Sequence, residues 1–257
     1  MLGAIAGDIV GSIYEVRNIK SKDFPLFRDI SRFTDDSVLT VAVANTILNN
    51  GNYGNNIKQY YRRYPYVGYG GNFIKWGESD SSEPYNSWGN GSAMRVSPVG
   101  SAFNDLETVL AEAKKSAEVT HNHPEGIKGA RATAAAIYLA RNGKSKQEIK
   151  SYIEENFGYN LNRTIEEIRP IYRFDVSCQG SVPEAIIAFL DSTDFEDAIR
   201  NAVSIGGDSD TISCICGGIA QAFYGLPKSI ADTALGYLDD DLKSTVLEFN
   251  SRFNIAL

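Results

Sequence analysis

Two stretches of this chain carry apolar or small side chains on nearly every face, and they constrain the fold more than any other feature of the sequence. Residues 36–49 read DSVLTVAVANTILN, and residues 211–224 read TISCICGGIAQAFY. A helix that is apolar all round is buried, because it has no polar face to turn toward water. Both stretches are therefore predicted to be helices inside a bundle. Gly217 and Gly218 would let a neighbouring helix approach the second one closely.

Most of the remaining chain repeats its apolar residues at helical spacing. Four further helices are predicted to start at a capping residue: Asn104 (with Glu107 three residues on), Ser145 (with Glu148, ending at Gly158), Ser181 (with Glu184) and Asp194. Three more are predicted over 127–142 and at about 228–237 and 240–250. No stretch alternates apolar and polar residues between hairpin turns, and no proline lies beyond the first turn of a predicted helix. We therefore predict an all-α fold with a single domain over residues 1–257. Residues 51–91 lack helical spacing and are predicted to form a long loop, which either packs on its own aromatic residues or is functional.

Charge and composition exclude several classes of protein. The formal net charge is −7 at pH 7, whereas binding to a phosphate backbone usually requires an excess of lysine and arginine. No uncharged apolar run is long enough to cross a membrane, and the apolar start lacks the basic residues of a secretory signal. The three cysteines are an odd number, typical of buried thiols in a reducing compartment. We expect a cytoplasmic monomer with no nucleic-acid or membrane partner.

Two acidic clusters stand immediately before the two stretches predicted to be buried helices. They consist of Thr34, Asp35 and Asp36, and of Asp208, Asp210 and Thr211. Either cluster alone would serve as a helix N-cap, because these side chains accept hydrogen bonds from the free N–H groups of a first turn. A cap needs only one oxygen, however, and several carboxylates at the buried ends of helices would repel one another and lose hydration. Oxygen donors favour a hard divalent cation, Mg²⁺, Mn²⁺ or Ca²⁺, and these are numerous enough for the two adjacent ions of a two-metal hydrolase.

A row of glycines, Gly3, Gly7 and Gly11, would lie along one face of a first helix and admit a close neighbour. Glu15 ends this row, where it would either be solvated or project into a site at the end of the helix. The sequence contains only two histidines and no recognisable nucleophile motif. Any enzymatic chemistry is therefore expected to rest on carboxylates.

Two other segments could bind a ligand. Residues 88–95 read WGNGSAMR, a glycine-rich turn that runs into a helix. Such a turn presents N–H groups to phosphates, although a simple turn is equally consistent with the sequence. His121 and His123 precede Pro124 and a helix start. Either ring could contact a ligand or metal, or be satisfied by a backbone carbonyl.

Five ordered segments resemble the ADP-ribosylglycohydrolase family, which includes dinitrogenase-reductase-activating glycohydrolases and hydrolases of ADP-ribosylarginine and ADP-ribosylserine. They are GAIAGDIVGSIYE, FTDDSVLT, WGNGSAMR, THNHPEGIKGA and SIGGDSDTISCICGGIAQAFYG. The resemblance implies an orthogonal helical bundle with two Mg²⁺ or Mn²⁺ ions, and it matches Glu15 to the family's mobile glutamate near the scissile bond. The implied metal ligands are Thr34, Asp35, Asp36, Asp208, Asp210 and Thr211. The implied ADP-ribose-binding residues are Gly89, Asn90, Gly91, Ser92, Met94 and His121.

The same resemblance implies a metal-dependent hydrolase that cleaves the C1″ glycosidic bond between ADP-ribose and an acceptor. We expect Asp36 to take a proton from the attacking water, and Glu15 to position or protonate the leaving group. The expected substrate is an ADP-ribosylated protein, with arginine as the acceptor, or a small ADP-ribose conjugate. The alternatives are hydrolysis of ADP-ribosylserine or O-acetyl-ADP-ribose, and a module that binds ADP-ribose without cleaving it.

Overall fold

Helices form nearly all the regular structure of residues 1–256, the part of the chain that the computed structural model describes. They are α1 (Leu2–Gly11), α2 (Asp35–Leu48), α3 (Tyr53–Arg63), α4 (Gly71–Glu78), α5 (Gly91–Met94), α6 (Ser97–Ala102), α7 (Leu106–Glu118), α8 (Pro124–Arg141), α9 (Lys146–Phe157), α10 (Ile165–Ile168), α11 (Cys178–Leu190), α12 (Phe195–Ile205), α13 (Ser209–Tyr224), α14 (Lys228–Tyr237) and α15 (Asp240–Arg252). An isolated antiparallel bridge joins Gly89 to Ser177, and residues 1–256 contain no strand. The predicted all-α fold is confirmed.

The two stretches predicted to be buried helices are α2 and α13. Every residue of α13 from Ser209 to Gln221 is buried, as are most residues of α2. Helix α13 packs against α1, α8, α11 and α12, so it lies at the centre of the bundle. Among residues 1–256, no helix has both the length and the apolar character needed to cross a membrane. The three cysteines are buried and form no disulfide, as predicted.

Glycines bring α1 and α13 very close together. A Cβ placed on Gly7 would lie 2.0 Å from the carbonyl oxygen of Ser213, and a Cβ on Gly217 would lie 2.2 Å from a backbone oxygen of α1. Both distances are far below van der Waals contact, so no side chain fits at either position. Near the end of α1, a Cβ on Gly11 would lie 2.5 Å from the Cα of Asp210. This approach holds the first turn of α13, with its acidic residues, directly against the end of α1.

The prediction of a loop throughout residues 51–91 is wrong, because α3 and α4 lie within it. Helix α3 buries Tyr53, Ile57, Tyr60 and Tyr61 along one face. Tyrosines make up most of this face, and their polar hydroxyl groups obscured the helical pattern. Helix α4 has eight residues, too few for its spacing to stand out. The aromatic residues of the segment do pack on one another: the rings of Tyr61 and Phe73 lie 5.8 Å apart.

Two predicted helix starts are also wrong. Asp105, rather than Asn104, caps α7 by accepting a 2.7 Å hydrogen bond from the N–H of Thr108. Helix α11 begins at Cys178 behind the cap Ser177, so Pro183 lies inside the helix instead of in its first turn. Pro183 has no N–H to donate to the carbonyl of Gln179, four residues earlier. Gln179 is exposed, so water can hydrogen-bond to that carbonyl and the proline is tolerated.

Candidate active site

The N-terminal ends of α2 and α13 meet near the C-terminal end of α1, at a cleft of about 440 Å³. Carboxylate oxygens of Asp8, Asp36 and Asp210 lie within 4.8 Å of one another, and so do those of Glu15, Asp208 and Asp210. Asp210 belongs to both groups. Acidic residues far apart in the sequence are thus brought together at one place, as the metal hypothesis requires.

Asp8 is the buried carboxylate that the sequence analysis did not select. Its Oδ2 accepts hydrogen bonds from the N–H of Thr34 at 2.9 Å and from the N–H of Ser37 at 3.1 Å. Its Oδ1 accepts a 2.7 Å bond from the Thr34 hydroxyl, and the Ser37 hydroxyl donates to Oδ2. Asp8 therefore shapes the turn that precedes α2. The signal for it was a lone charge within an apolar helix, since such a residue must have polar partners.

Asp36 has a buried carboxylate oxygen without a hydrogen-bond partner in the described residues. Its side chain is buried, and Oδ1 has no hydrogen-bond partner among residues 1–256. Oδ2 accepts only long bonds, 3.4 Å each, from the hydroxyls of Thr34 and Thr211. Burial raises the pKa of Asp36 well above its usual range, and the nearby Asp8 carboxylate raises it further. A buried carboxylate in this situation requires either a proton or a cation.

The other predicted metal ligands also line the cleft. Burial raises the pKa of Asp210 well above its usual range, and Asp36 adds to this effect. Asp208 accepts a 2.6 Å hydrogen bond at Oδ2 from the side-chain amide of Asn90, while burial raises its pKa as well. Asp35 is only partly buried at the side of the cleft, and its backbone N–H donates to the carbonyl of Val67 at 3.0 Å. The donor set contains oxygen atoms alone, so it fits a hard divalent cation.

Glu15 lies just beyond the end of α1 and is half-buried in the cleft. Burial raises its pKa, the Asp208 carboxylate raises it further, and Arg32 opposes the increase. The amide of Asn18 donates to the carbonyl of Glu15 at 2.8 Å and to that of Gly207 at 3.2 Å. In return, the N–H of Gly207 donates to Asn18 Oδ1 at 2.6 Å. Asn18 therefore connects, through hydrogen bonds, the segment that carries Glu15 to Gly207, the residue before Asp208.

Five of the six residues matched to ADP-ribose binding line the cleft; they are Gly89, Asn90, Gly91, Met94 and His121. Ser92 does not, because its hydroxyl is fully buried and donates to the carbonyl of Gly126 at 2.7 Å. The cleft is completed by residues that the sequence analysis did not select, including Arg32, Tyr85, Arg95, Phe174 and Val176. They come from loops and short elements, where no periodic pattern marks them.

The two histidines have different surroundings. His123 caps α8, since its Nδ1 accepts a 3.1 Å hydrogen bond from the N–H of Glu125. His121 is buried beside the cleft, and its Nδ1 lies 2.7 Å from the hydroxyl oxygen of Thr120. Burial holds the pKa of His121 well below its usual range, and the nearby Arg95 guanidinium lowers it further.

A helical bundle with clustered carboxylates in a cleft has the oxygen ligands that a metal-dependent hydrolase needs. The chain belongs to the ADP-ribosylglycohydrolase family, whose model matches residues 1–254. It is 26% identical to the ADP-ribosylhydrolase ARH3 of Homo sapiens, in an alignment covering 94% of this chain and 90% of that protein. It is 25% identical to the ADP-ribosylarginine hydrolase Tri1 of Pseudomonas putida (strain GB-1), over 88% of this chain and 70% of that protein.

The fold itself is shared with a solved structure, described as an ADP-ribosylglycohydrolase-related protein complex. The TM-score is 0.75 at 23% sequence identity, and the match covers 100% of this chain and 97% of that one. The family assignment makes this protein a glycosidic-bond hydrolase that acts on ADP-ribosylated substrates. Its acidic clusters could hold the metal on which the family depends.

Proposed function

We propose that this protein binds two divalent cations, Mg²⁺ or Mn²⁺, and hydrolyses the C1″ bond between ADP-ribose and a protein arginine. The unpartnered Oδ1 of Asp36, buried among other carboxylates, is the observation that carries the proposal. Two overlapping acidic groups that share Asp210 support two cation sites rather than one. The residues proposed to hold the cations are Thr34, Asp35, Asp36, Asp208, Asp210 and Thr211.

Asp8 belongs to the first acidic group but is not proposed as a ligand. Both of its oxygens already accept hydrogen bonds from Thr34 and Ser37. Its role is to hold the turn before α2 in place, so that Asp36 faces Asp210. When bound, divalent cations neutralise this negative charge and lower the pKa of a water molecule.

Side chains of the cleft are proposed to carry out the proton transfers of the reaction. Asp36 accepts the proton of the attacking water, because its buried Oδ1 has no hydrogen-bond partner among residues 1–256. Glu15 holds a proton more readily than an exposed glutamate, since burial raises its pKa, and it donates that proton to the leaving group. The C1″ bond breaks through an oxocarbenium-like state, as in other glycoside hydrolysis. Backbone groups of Gly89 and Gly91 bind the ADP-ribose part of the substrate.

Arginine is the proposed acceptor because Tri1, named as an ADP-ribosylarginine hydrolase, aligns with 88% of the chain. The Asp35 carboxylate at the cleft would also attract a guanidinium group. One observation favours a second acceptor class: Arg32 lines the same part of the cleft, and its positive charge repels a guanidinium. ADP-ribosylserine, with a neutral acceptor, is therefore the second candidate.

The test incubates the protein with arginine-linked and serine-linked ADP-ribosyl peptides and with O-acetyl-ADP-ribose. Each reaction contains Mg²⁺, Mn²⁺ or a chelator, and released ADP-ribose is measured. We expect release from the arginine-linked peptide that depends on metal and is lost in Asp210→Asn. Asp232→Asn, the same change on the exposed face of α14, is the matched control and should retain turnover. Full turnover by Asp210→Asn would contradict the metal centre, and release from the serine-linked peptide alone would replace arginine by serine.

A further inference from the structure

Arg95 is a buried cation that the proposed reaction leaves unexplained. Its side chain is fully buried in the wall of the cleft, and within residues 1–256 it forms no ion pair. Nη2 donates to the carbonyl of Ser116 and to the hydroxyl oxygen of Thr120, both at 2.9 Å. Nε and Nη1 have no partner in the described part of the chain. A buried guanidinium without a counter-charge is destabilising, so its presence here points to a function.

The bond from Arg95 determines the direction of the next hydrogen bond. A guanidinium can only donate, so the Thr120 oxygen must accept from it. The hydrogen of the Thr120 hydroxyl is then available for His121 Nδ1, at 2.7 Å. Thr120 is fully buried, and residues 1–256 provide no other acceptor for this hydrogen. If Nδ1 carried the ring hydrogen instead, the hydroxyl hydrogen would have no acceptor.

The opposite ring nitrogen of His121 faces the cleft. A Cβ placed on Gly91 would lie only 3.0 Å from Nε2, and one on Gly89 would lie 3.5 Å from it. Both glycines line the cleft together with His121. No residue between 1 and 256 accepts a hydrogen bond from Nε2, so this nitrogen is available to a ligand.

We propose that Arg95 and Thr120 are positioning residues that keep the hydrogen of His121 on Nε2, so that the ring offers one donor to an oxygen of the bound substrate. Arginine suits this role because it can only donate. A hydroxyl or amide in its place could also accept, and the Thr120 hydroxyl could then donate to it instead of to His121. Its positive charge also discourages a second proton on the ring. The identity of the substrate rests on the proposed function, whereas the position of the ring hydrogen does not.

Nitrogen-15 NMR of the protein labelled at histidine tests the position of the hydrogen directly. The chain has two histidines, and His123→Asn assigns the spectrum while keeping a capping side chain. We expect His121 to carry hydrogen on Nε2, with Nδ1 accepting a hydrogen bond. In Thr120→Val the Nδ1 resonance should shift toward that of a free nitrogen, and in Thr120→Ser it should remain. Hydrogen on Nδ1 in the unaltered protein, or an Nδ1 resonance that Thr120→Val does not move, would overturn the proposal.

Binding of ADP-ribose, measured by calorimetry with Mg²⁺ present, separates positioning from a structural role. Loss of one well-placed donor should weaken binding about fivefold to tenfold in Thr120→Val. In a His121→Gln background the same change should have little further effect, because there is no imidazole ring whose hydrogen Thr120 could position. Fully additive losses would overturn the inference and leave the proposed function intact. If the unaltered protein bound no ADP-ribose, the proposed function would fail, whereas the NMR result would still decide where the hydrogen lies.

Discussion

Replacing Gly7 by alanine tests whether the close approach of α1 and α13 builds the site. The added Cβ would lie 2.0 Å from the carbonyl oxygen of Ser213, whereas ordinary contact begins at 3.4 Å. The two helices would therefore have to separate by about 1.4 Å at this point. Overpacking of this kind destabilises a protein by about 1–3 kcal/mol, and each kcal/mol lowers the melting temperature of a chain of this size by roughly 2–4 °C. We expect the upper end, a decrease of about 6–12 °C, because the obstacle is backbone and not a flexible side chain.

The same displacement should slow the reaction. Gly11, one turn further along α1, lies against the backbone of Asp210, so a shift at Gly7 reaches the acidic cluster. A misplacement of about 1 Å can lower kcat by as much as a hundredfold. Melting is followed by calorimetry, and turnover by release of ADP-ribose in Mg²⁺.

The matched control is Gly236→Ala in α14, where an added Cβ would meet nothing within 4 Å. Alanine in this open helical position should stabilise the protein by about 0.5–1 kcal/mol and leave turnover unchanged. A Gly7→Ala protein with the melting temperature and kcat of the unaltered chain would refute the argument that close packing sets the geometry of the cluster.

Three further predictions concern the acidic cluster and its support. Asp36→Asn removes a buried carboxyl group whose ionisation is opposed by burial and by Asp8, so in chelator at about pH 8 it should melt at a higher temperature than the unaltered protein while losing turnover; a lower melting temperature under these conditions would argue against repulsion. Burial raises the pKa of Asp36 and of Asp210 in the folded chain, so their contribution to stability is largest at acid pH and declines as pH rises through those raised values. Calorimetry in chelator between about pH 5 and pH 8 should detect this decline, and Mg²⁺ should reduce it; a slope that Mg²⁺ leaves unchanged would show that other groups cause it. Asn18→Leu removes the two hydrogen bonds to Gly207 and should lower kcat about tenfold. Because Asn18 is exposed, the melting temperature should stay within a few degrees of that of the unaltered protein. An unchanged kcat would mean that these hydrogen bonds are not needed to position Glu15.

The sequence allowed the central helices and the meeting of the two acidic clusters to be predicted, because both depend on local patterns. Helix α13 is apolar on nearly every face, and Asp208 and Asp210 stand at its first turn. Asp8 could not be assigned in the same way, since its partners Thr34 and Ser37 are brought to it by packing of α1 against α2. The assignment of individual metal ligands and of Glu15 as a catalytic group remains a prediction.

Other parts of the site depend on contacts that no periodic pattern reveals. The tyrosine-rich sequence of α3 concealed a helix, because each ring is apolar while its hydroxyl is polar. The hydrogen-bond relay to His121 joins Arg95 to Thr120, and only the turn after α7 places these two side chains together. Ser92 lies in a segment that lines the cleft, yet its hydroxyl turns toward Gly126. Sequence spacing identified the segment but not the direction of the side chain.

The position of Asp210 against α1 has a consequence for how the chain matures. Asp8 and Asp36 are synthesised before Asp210, which follows Asp8 by about 200 residues. A ribosome-bound intermediate that ends before α13 therefore lacks Asp210, the carboxylate that both acidic groups share, and binding of a cation to the full cluster has to wait until α13 has been made. Binding of the ion would then be a late event of folding, and it would report that α13 has packed against α1 and α2.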